Sequence, residues 1–234
     1  MIPIHPDSAW QGTSDCRSCG VREMALFADL NEDDFSLIHA PIDDLALQPG
    51  QVLFHEGASA MGLFTVREGV IKLVRSTTDG RQRIVRVLRQ GDVAGLEALA
   101  TARYDTEAVA LLSARVCRIP LSVIQRLGLQ SPRLHKRLME KWSSALREAD
   151  DWLAELNFGS ARKRVANLVL KLREPDNPEL VTLFGREDMG AMLDLKLETV
   201  SREVSALVRD QALAPADRLG RVYRILDLDR LQWA

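Results

Sequence analysis

Two groups of residues in this 234-residue chain have types and spacings that could do chemistry. The first lies in Arg186–Arg209, where Glu198, Ser201, Arg202 and Ser205 recur at i, i+3, i+4 and i+7 and so share one helical face. An acceptor, hydroxyls and a guanidinium on one face are the groups that read base edges in the major groove of double-stranded DNA. The other face, Val200, Val204, Leu207 and Val208, is apolar at helical spacing and calls for burial. The second group is the three cysteines. Cys16-x-x-Cys19 puts two thiols within reach of one metal, one cluster or each other, and Cys117 is a distant third. His5, His39, His55 and His135 show no ligand spacing. No nucleophile elbow, phosphate loop or zinc-protease motif occurs, so no enzyme is expected.

These groups need elements to hold them. Glu187–Leu193 reads as a short helix burying Met189, Met192 and Leu193, and Asp194 fills the turn after it, where left-handed φ is expected. The pair is a helix-turn-helix with its recognition helix starting near Leu197, or, from this pattern alone, an ordinary αα-hairpin with a solvated face. Upstream, from about Leu45 to Pro120, β-type runs alternate with glycine turns: Gln51–Phe54, Gly62–Arg67, Val70–Ser76, Gln82–Leu88 and Thr106–Ile119. That rhythm predicts an antiparallel sandwich or barrel, with Asp79-Gly80 as a hairpin turn. From Ser131 to about Asn157 the period becomes helical. Leu134, Leu138, Trp142, Ala145, Ala149, Trp152 and Leu156 form a stripe close to a/d spacing. The stripe packs on the β-domain or on a second copy of itself, and its length favours a homodimer. Asn157–Ser160 reads as a hinge with a serine cap into a helix over Ala161–Arg173, which Glu174–Pro178 ends. Leu213–Leu226 offers two short strands around Arg218-Leu219-Gly220, the outline of a wing. The expected fold is therefore α+β: a flexible cysteine-bearing tail over 1–20, a β-roll over 21–130, a dimerisation helix over 131–157 and a winged helix-turn-helix over 158–234.

This order of elements resembles the CRP/FNR family of bacterial transcription regulators, from about Cys16 to the carboxyl terminus. Local motifs are similar too: Pro49-Gly50-Gln51-x-Leu53-Phe54 with Gly57, Arg67-Glu68-Gly69-x-Ile71-Lys72, and Gly91-Asp92-x-x-Gly95. Leu197-Glu198-Thr199-Val200-Ser201-Arg202 is similar to the FNR branch. The resemblance implies that Arg202 pairs with a guanine, Glu198 accepts from a cytosine amino group, Ser201 meets a thymine or a phosphate, and Thr199 takes a phosphate at the helix start. It implies a homodimer on an inverted repeat of the TTGAT-N4-ATCAA type. It also implies contact with RNA polymerase, with activation suggested by the likeness of the Gly91–Gly95 loop to a polymerase-contacting surface.

What the β-roll senses is less directly written. The cyclic-nucleotide branch carries an arginine pair for the phosphate. Here Gly95-Leu96-Glu97-Ala98-Leu99 is followed by Asp105-Thr106-Glu107-Ala108, whose acidic groups would repel that anion, so cAMP is not expected. The FNR branch holds an oxygen-labile [4Fe–4S] cluster on four cysteines, and Cys16, Cys19 and Cys117 match three of those positions. The fourth falls at Ala25, which cannot ligate iron. A cluster would need Asp15, Glu23, Asp29 or solvent as its last ligand, or would hold three irons. A dithiol switch at Cys16 and Cys19 and a tail with an inert Cys117 are the alternatives, beside haem or an unidentified small ligand. A cyclic-nucleotide-type module without DNA binding is the remaining functional alternative.

Composition bounds these readings. With 46% hydrophobic residues, 27% charged residues and a net charge of −2, the chain is not a bulk-charge nucleic-acid binder. From Ser160 onward, 13 Lys and Arg face 12 Asp and Glu. Charge therefore leaves site-specific binding open. No apolar run reaches membrane length and no signal-peptide pattern opens the chain, so the cytoplasm is expected, with no membrane partner.

Overall fold

The structure, a computed structural model, describes all residues except 1–23, 37, 39, 78, 79, 81, 174–176, 219 and 234. Cys16, Cys19, Asp15, Glu23, His5 and His39 therefore lie outside the described residues. So do Asp79 of the expected hairpin, part of the Glu174–Pro178 helix end and Leu219 of the expected wing. Contacts divide the chain into two compact units, 1–80 with 85–147 and 81–84 with 148–234.

A short helix α1 (Glu32–Ser36) leads into eight strands: β1 (Asp43–Leu47), β2 (Val52–Phe54), β3 (Gly62–Glu68), β4 (Ile71–Ser76), β5 (Gln82–Leu88), β6 (Val93–Ala94), then, past the one-turn helix α2 (Ala98–Thr101), β7 (Glu107–Ala110) and β8 (Ala114–Pro120). They form two four-stranded sheets, ordered β1-β8-β3-β6 and β2-β7-β4-β5. The run expected as one strand over Thr106–Ile119 is two strands, one in each sheet. The crossing at Leu111–Ser113 is held by the Leu111 amide on the Val70 carbonyl at 2.9 Å. Gly69 permits it: its φ is +80°, and a β-carbon there would stand 2.0 Å from the Ser113 carbonyl oxygen.

Side chains alternate across β3 and β8, but both faces are buried. Phe64, Val66 and Val116 point into the roll beside Phe54, Leu73 and Tyr104. Leu63, Cys117 and Ile119 point the other way, into a second core with Leu26, Phe27 and Leu30 from the amino-terminal segment. Two-sided burial is why these strands read as continuous apolar runs. That second core also takes Val123, Ile124 and Leu127 of helix α3 (Leu121–Gln130), an element the sequence reading did not separate.

Helix α4 (Pro132–Leu156) follows as expected, but its apolar face has to be redrawn. Leu134 and Leu138 are buried in the second core and Ala145 packs against it, while Leu156 is buried as well. Those residues are covered by their own chain and are not free to meet a partner. The large apolar side chains left exposed are Met139, Trp142, Leu146 and Leu153. With half-buried Ala149 they step by three and four, an exposed row with a/d spacing displaced from the expected stripe. Trp142 and Ala149 belong to both.

The second unit contains α5 (Ala161–Lys171), β9 (Leu180–Thr182), α6 (Arg186–Leu193), α7 (Leu197–Arg209), β10 (Leu213–Pro215), β11 (Val222–Ile225) and α8 (Leu228–Gln232). Ser160 caps α5 as expected, its hydroxyl accepting from the Lys163 amide at 3.1 Å. The wing hairpin β10–β11 gains a third strand, β9, which was not anticipated. Val165, Leu168, Val181, Met189, Val204, Leu207 and Tyr223 are among the buried residues of this unit.

Candidate nucleic-acid interface

Helices α6 and α7 meet at a turn fixed by two residues. Asp194 adopts the left-handed conformation, φ 54° and ψ 47°, and the Leu195 amide donates to the Gly190 carbonyl at 3.0 Å. Gly190 is the residue that sequence reasoning passed over: a β-carbon there would lie 2.6 Å from the Leu195 carbonyl oxygen. A glycine within a short helix beside a turn residue was the available signal. Beyond the turn, α7 buries Val200, Val204, Ala206 and Leu207, while Val208 is half-buried. Glu198, Arg202 and Ser205 are exposed, and Thr199 and Ser201 are half-buried. The five polar residues named from the sequence therefore share one accessible face. The Arg202 guanidinium makes one long contact, 3.4 Å to the Thr199 hydroxyl, and keeps its fork of donors available.

Groups beside this face were not foreseen. Arg186 opens α6 with its guanidinium 5.8 Å from the Tyr223 ring centroid and 3.0 Å from the Tyr223 hydroxyl. Arg186, Ser201, Ser205, Pro215 and Tyr223 line an open cleft of about 360 Å³ between recognition helix and wing. On the wing, Arg218, Arg221 and Arg224 are exposed. A helix face with mixed donors and acceptors, flanked by cations on a hairpin, suits a duplex: side chains for base edges and charges for phosphates.

Comparison with known proteins agrees. Residues 163–233 match the Crp-like helix-turn-helix domain and residues 45–131 the cyclic nucleotide-binding domain. The transcriptional activator protein FnrL of Cereibacter sphaeroides is 30% identical over 209 residues, covering 85% of this chain and 84% of FnrL. The chain belongs to the CRP/FNR family of transcription regulators. Within that family, the anaerobic regulatory protein of Haemophilus influenzae is 27% identical, covering 92% of this chain and 86% of the relative. The solved structure of FixK2 from Bradyrhizobium japonicum has the same fold, with a TM-score of 0.73 at 24% identity over 82% of this chain and 96% of FixK2. Membership settles the choice that the helix pair alone left open: α6 and α7 are the helix-turn-helix of a DNA-binding regulator.

In this CRP/FNR chain aromatic side chains pack together inside the roll. Tyr104 stacks on Phe54 with centroids 3.8 Å apart, and its hydroxyl donates to the Gly62 carbonyl at 2.8 Å. Glu97 accepts from the Asp105 amide at 3.4 Å, and Glu107 pairs with His55 at 2.7 Å. The acidic residues expected to repel a phosphate are thus engaged locally. The Gly91–Gly95 loop, expected as a polymerase-contacting surface, is buried at Gly91, Val93, Ala94 and Gly95 and presents only half-buried Asp92.

Cys117 is 8% exposed and sits across the sheet from Asp44 on one side and Thr65 on the other, all three on one face. Asp44 accepts from Arg67 at 2.6 Å and from Arg115. Among the described residues the buried Thr65 hydroxyl has no hydrogen-bond partner. At the position of the family's missing cysteine, Ala25 offers a methyl group, and its carbonyl accepts from Ala28 and Arg137. No cluster of three His, Cys, Asp or Glu suited to a metal occurs among the described residues. A threonine hydroxyl and a methyl do not replace a thiolate, so a cluster held by four protein cysteines does not fit this chain.

Proposed function

We propose that the protein is a cytoplasmic, oxygen- or redox-responsive transcription activator that binds an inverted repeat of the TTGAT-N4-ATCAA type as a homodimer and works with RNA polymerase. The observation that carries this reading is the polar face of α7, accessible on one side of a helix whose other side is locked into the core. In this reading Arg202 donates to guanine O6 and N7, Glu198 accepts from a cytosine amino group, Ser201 and Ser205 meet bases or phosphates, and Thr199 steadies Arg202 or takes a phosphate. Arg218, Arg221 and Arg224 on the wing neutralise the backbone. The seam Met139, Trp142, Leu146, Ala149 and Leu153 joins two copies, so that two recognition helices meet half-sites one helical turn apart. We assign the chain no catalytic reaction.

The relatives' names, FnrL and anaerobic regulatory protein, support an oxygen- or redox-linked signal. Cys16, Cys19 and Cys117 are the residues proposed to receive it. Three thiols suit an iron–sulfur centre completed by a non-cysteine ligand, or a dithiol–disulfide pair at Cys16 and Cys19. Purification without oxygen decides between them: iron, labile sulfide and visible absorbance support the centre, and a colourless protein with oxidisable thiols supports the pair.

The test of the DNA reading is a titration of wild type, Arg202→Ala and Glu198→Ala on the inverted repeat and on scrambled duplex. Arg202→Ala is expected to lose about 1–3 kcal/mol on the repeat and little on the scrambled sequence. Equal losses on both would remove Arg202 from base reading.

A further inference from the structure

Tyr223 sits in the middle strand of the three-stranded sheet of the second unit, opposite Pro215 of β10 on one side and Val181 of β9 on the other. It is buried, and a buried tyrosine hydroxyl calls for a hydrogen-bond partner. That partner comes from another element. Arg186, the first residue of α6, donates from Nη2 to the hydroxyl at 3.0 Å. Its guanidinium carbon lies 5.8 Å from the ring centroid, within cation–π range. Its Nη1 also approaches the Met189 sulfur at 3.4 Å. The base of this side chain is thus set by α6 and its charged end by the wing.

None of these three contacts is to a carboxylate. Arg162 and Lys171 of the same unit, by contrast, are matched by Asp210 at 2.7 Å and Glu155 at 2.6 Å. Arg186 is oriented without being neutralised, and its contacts leave part of its fork of donors for a further acceptor. Among the described residues the cleft it lines has no carboxylate, and the recognition helix adds Ser201 and Ser205 beside apolar Val204 and Val208. A guanidinium and two hydroxyls lining one open cleft suit a phosphate diester, which brings two anionic oxygens and needs no base-specific fit. A duplex read by α7 and touched by the wing carries a strand of its backbone between the two.

We propose that Tyr223 is a positioning residue for DNA binding: it presents the Arg186 guanidinium to a backbone phosphate in the cleft between recognition helix and wing. Tyr223 acts through Arg186 and need not touch the duplex itself. The assignment rests on the DNA reading above and extends it to two residues outside the polar face of α7. Because the contact is to the backbone, its loss weakens binding alike on all sequences.

The experiment is a double-variant cycle in the full chain, read by titration on the inverted repeat and on scrambled duplex. Arg186→Met should lower the slope of log affinity against log salt by about 0.9, the change expected for one phosphate. With Arg186 present, Tyr223→Leu should weaken binding about tenfold on both duplexes, and Tyr223→Phe, which keeps the ring, about threefold. In the Arg186→Met background each should cost less than about twofold. Losses that persist in that background make Tyr223 a packing residue of the wing and overturn the proposal. No loss with Arg186 present, or an unchanged slope for Arg186→Met, overturns it as well. Melting curves verify folding, and should Tyr223→Leu not fold, Tyr223→Phe decides by the same comparison. A chain that binds both duplexes equally removes the inverted-repeat reading and leaves the cycle to judge Tyr223, whereas one that binds neither removes both.

Discussion

Arg133 and Arg202 are both helical arginines, and the chain uses them in opposite ways. Arg133 is committed to a buried carboxylate, whereas Arg202 is left exposed with one long contact to Thr199. The first is a fixture and the second is available to a partner. Burial alone would raise the Asp34 carboxyl, but the Arg133 guanidinium, the Asn31 amide and the Ser131 hydroxyl outweigh it and hold Asp34 below the usual carboxylate range. The folded state thus favours the ionised form. Its contribution is complete above the unfolded value of about 3.9 and is lost as pH falls through the lower folded value. Thermal midpoints of wild type should drop as pH falls below about 4, and Asp34→Asn should be less stable at neutral pH with a shallower acid slope. Parallel acid slopes for the two proteins would remove Asp34 from the acid response. Glu198, Ser201, Arg202 and Ser205 on α7 were legible from spacing because a helix face is a property of three- and four-residue intervals, whereas Thr199 came only from the family resemblance. Arg186 and Tyr223 were not, since they are joined only once a hairpin brings β11 beside α6.

Among the elements, the turn of the helix pair and the long helix each make a prediction. Gly190→Ala pushes a methyl against the Leu195 carbonyl, so it should destabilise the second unit by about 1–3 kcal/mol in denaturant unfolding. On α4, Leu146→Asp should weaken self-association in sedimentation with little change in melting temperature. Leu138→Ala should instead cost about 2–5 kcal/mol of stability, because it opens a cavity in a core belonging to the same chain. The reverse pattern would restore the stripe read from the sequence. That stripe was misplaced for a physical reason. A helix with one apolar edge against its own roll and another facing outward carries apolar residues over more than a single seam, and periodicity alone does not say which edge faces which. Thr106–Ile119 failed similarly, since alternation continues through the point where the chain passes from one sheet to the other.

At the scale of the molecule, the near-neutral sequence conceals a local concentration of positive charge on the wing. Arg221→Ala should lower the slope of log affinity against log salt by about 0.9 for each phosphate the side chain neutralises, with a similar change on specific and scrambled duplex. An unchanged slope would take the wing off the backbone. The change of period at Ser131 marked where helices take over from glycine-punctuated strands, whereas the two units divide later, between 147 and 148 within the long helix, which periodicity does not register. The signal was not readable, because a ligand set is assembled across the fold and Ala25 breaks the one pattern that local spacing supplied. The sheet β1-β8-β3-β6, covered on both faces, has a further consequence. Its centre holds Cys117, which a thiol reagent in solution meets only when the layers part. The labelling rate at Cys117 is thus a clock for opening of the roll, slowing about tenfold for each 1.4 kcal/mol of added opening cost when reclosing is fast. Run in the presence and absence of operator DNA, that clock would report whether occupancy at the reading end is felt as rigidity in the middle of the sensing end.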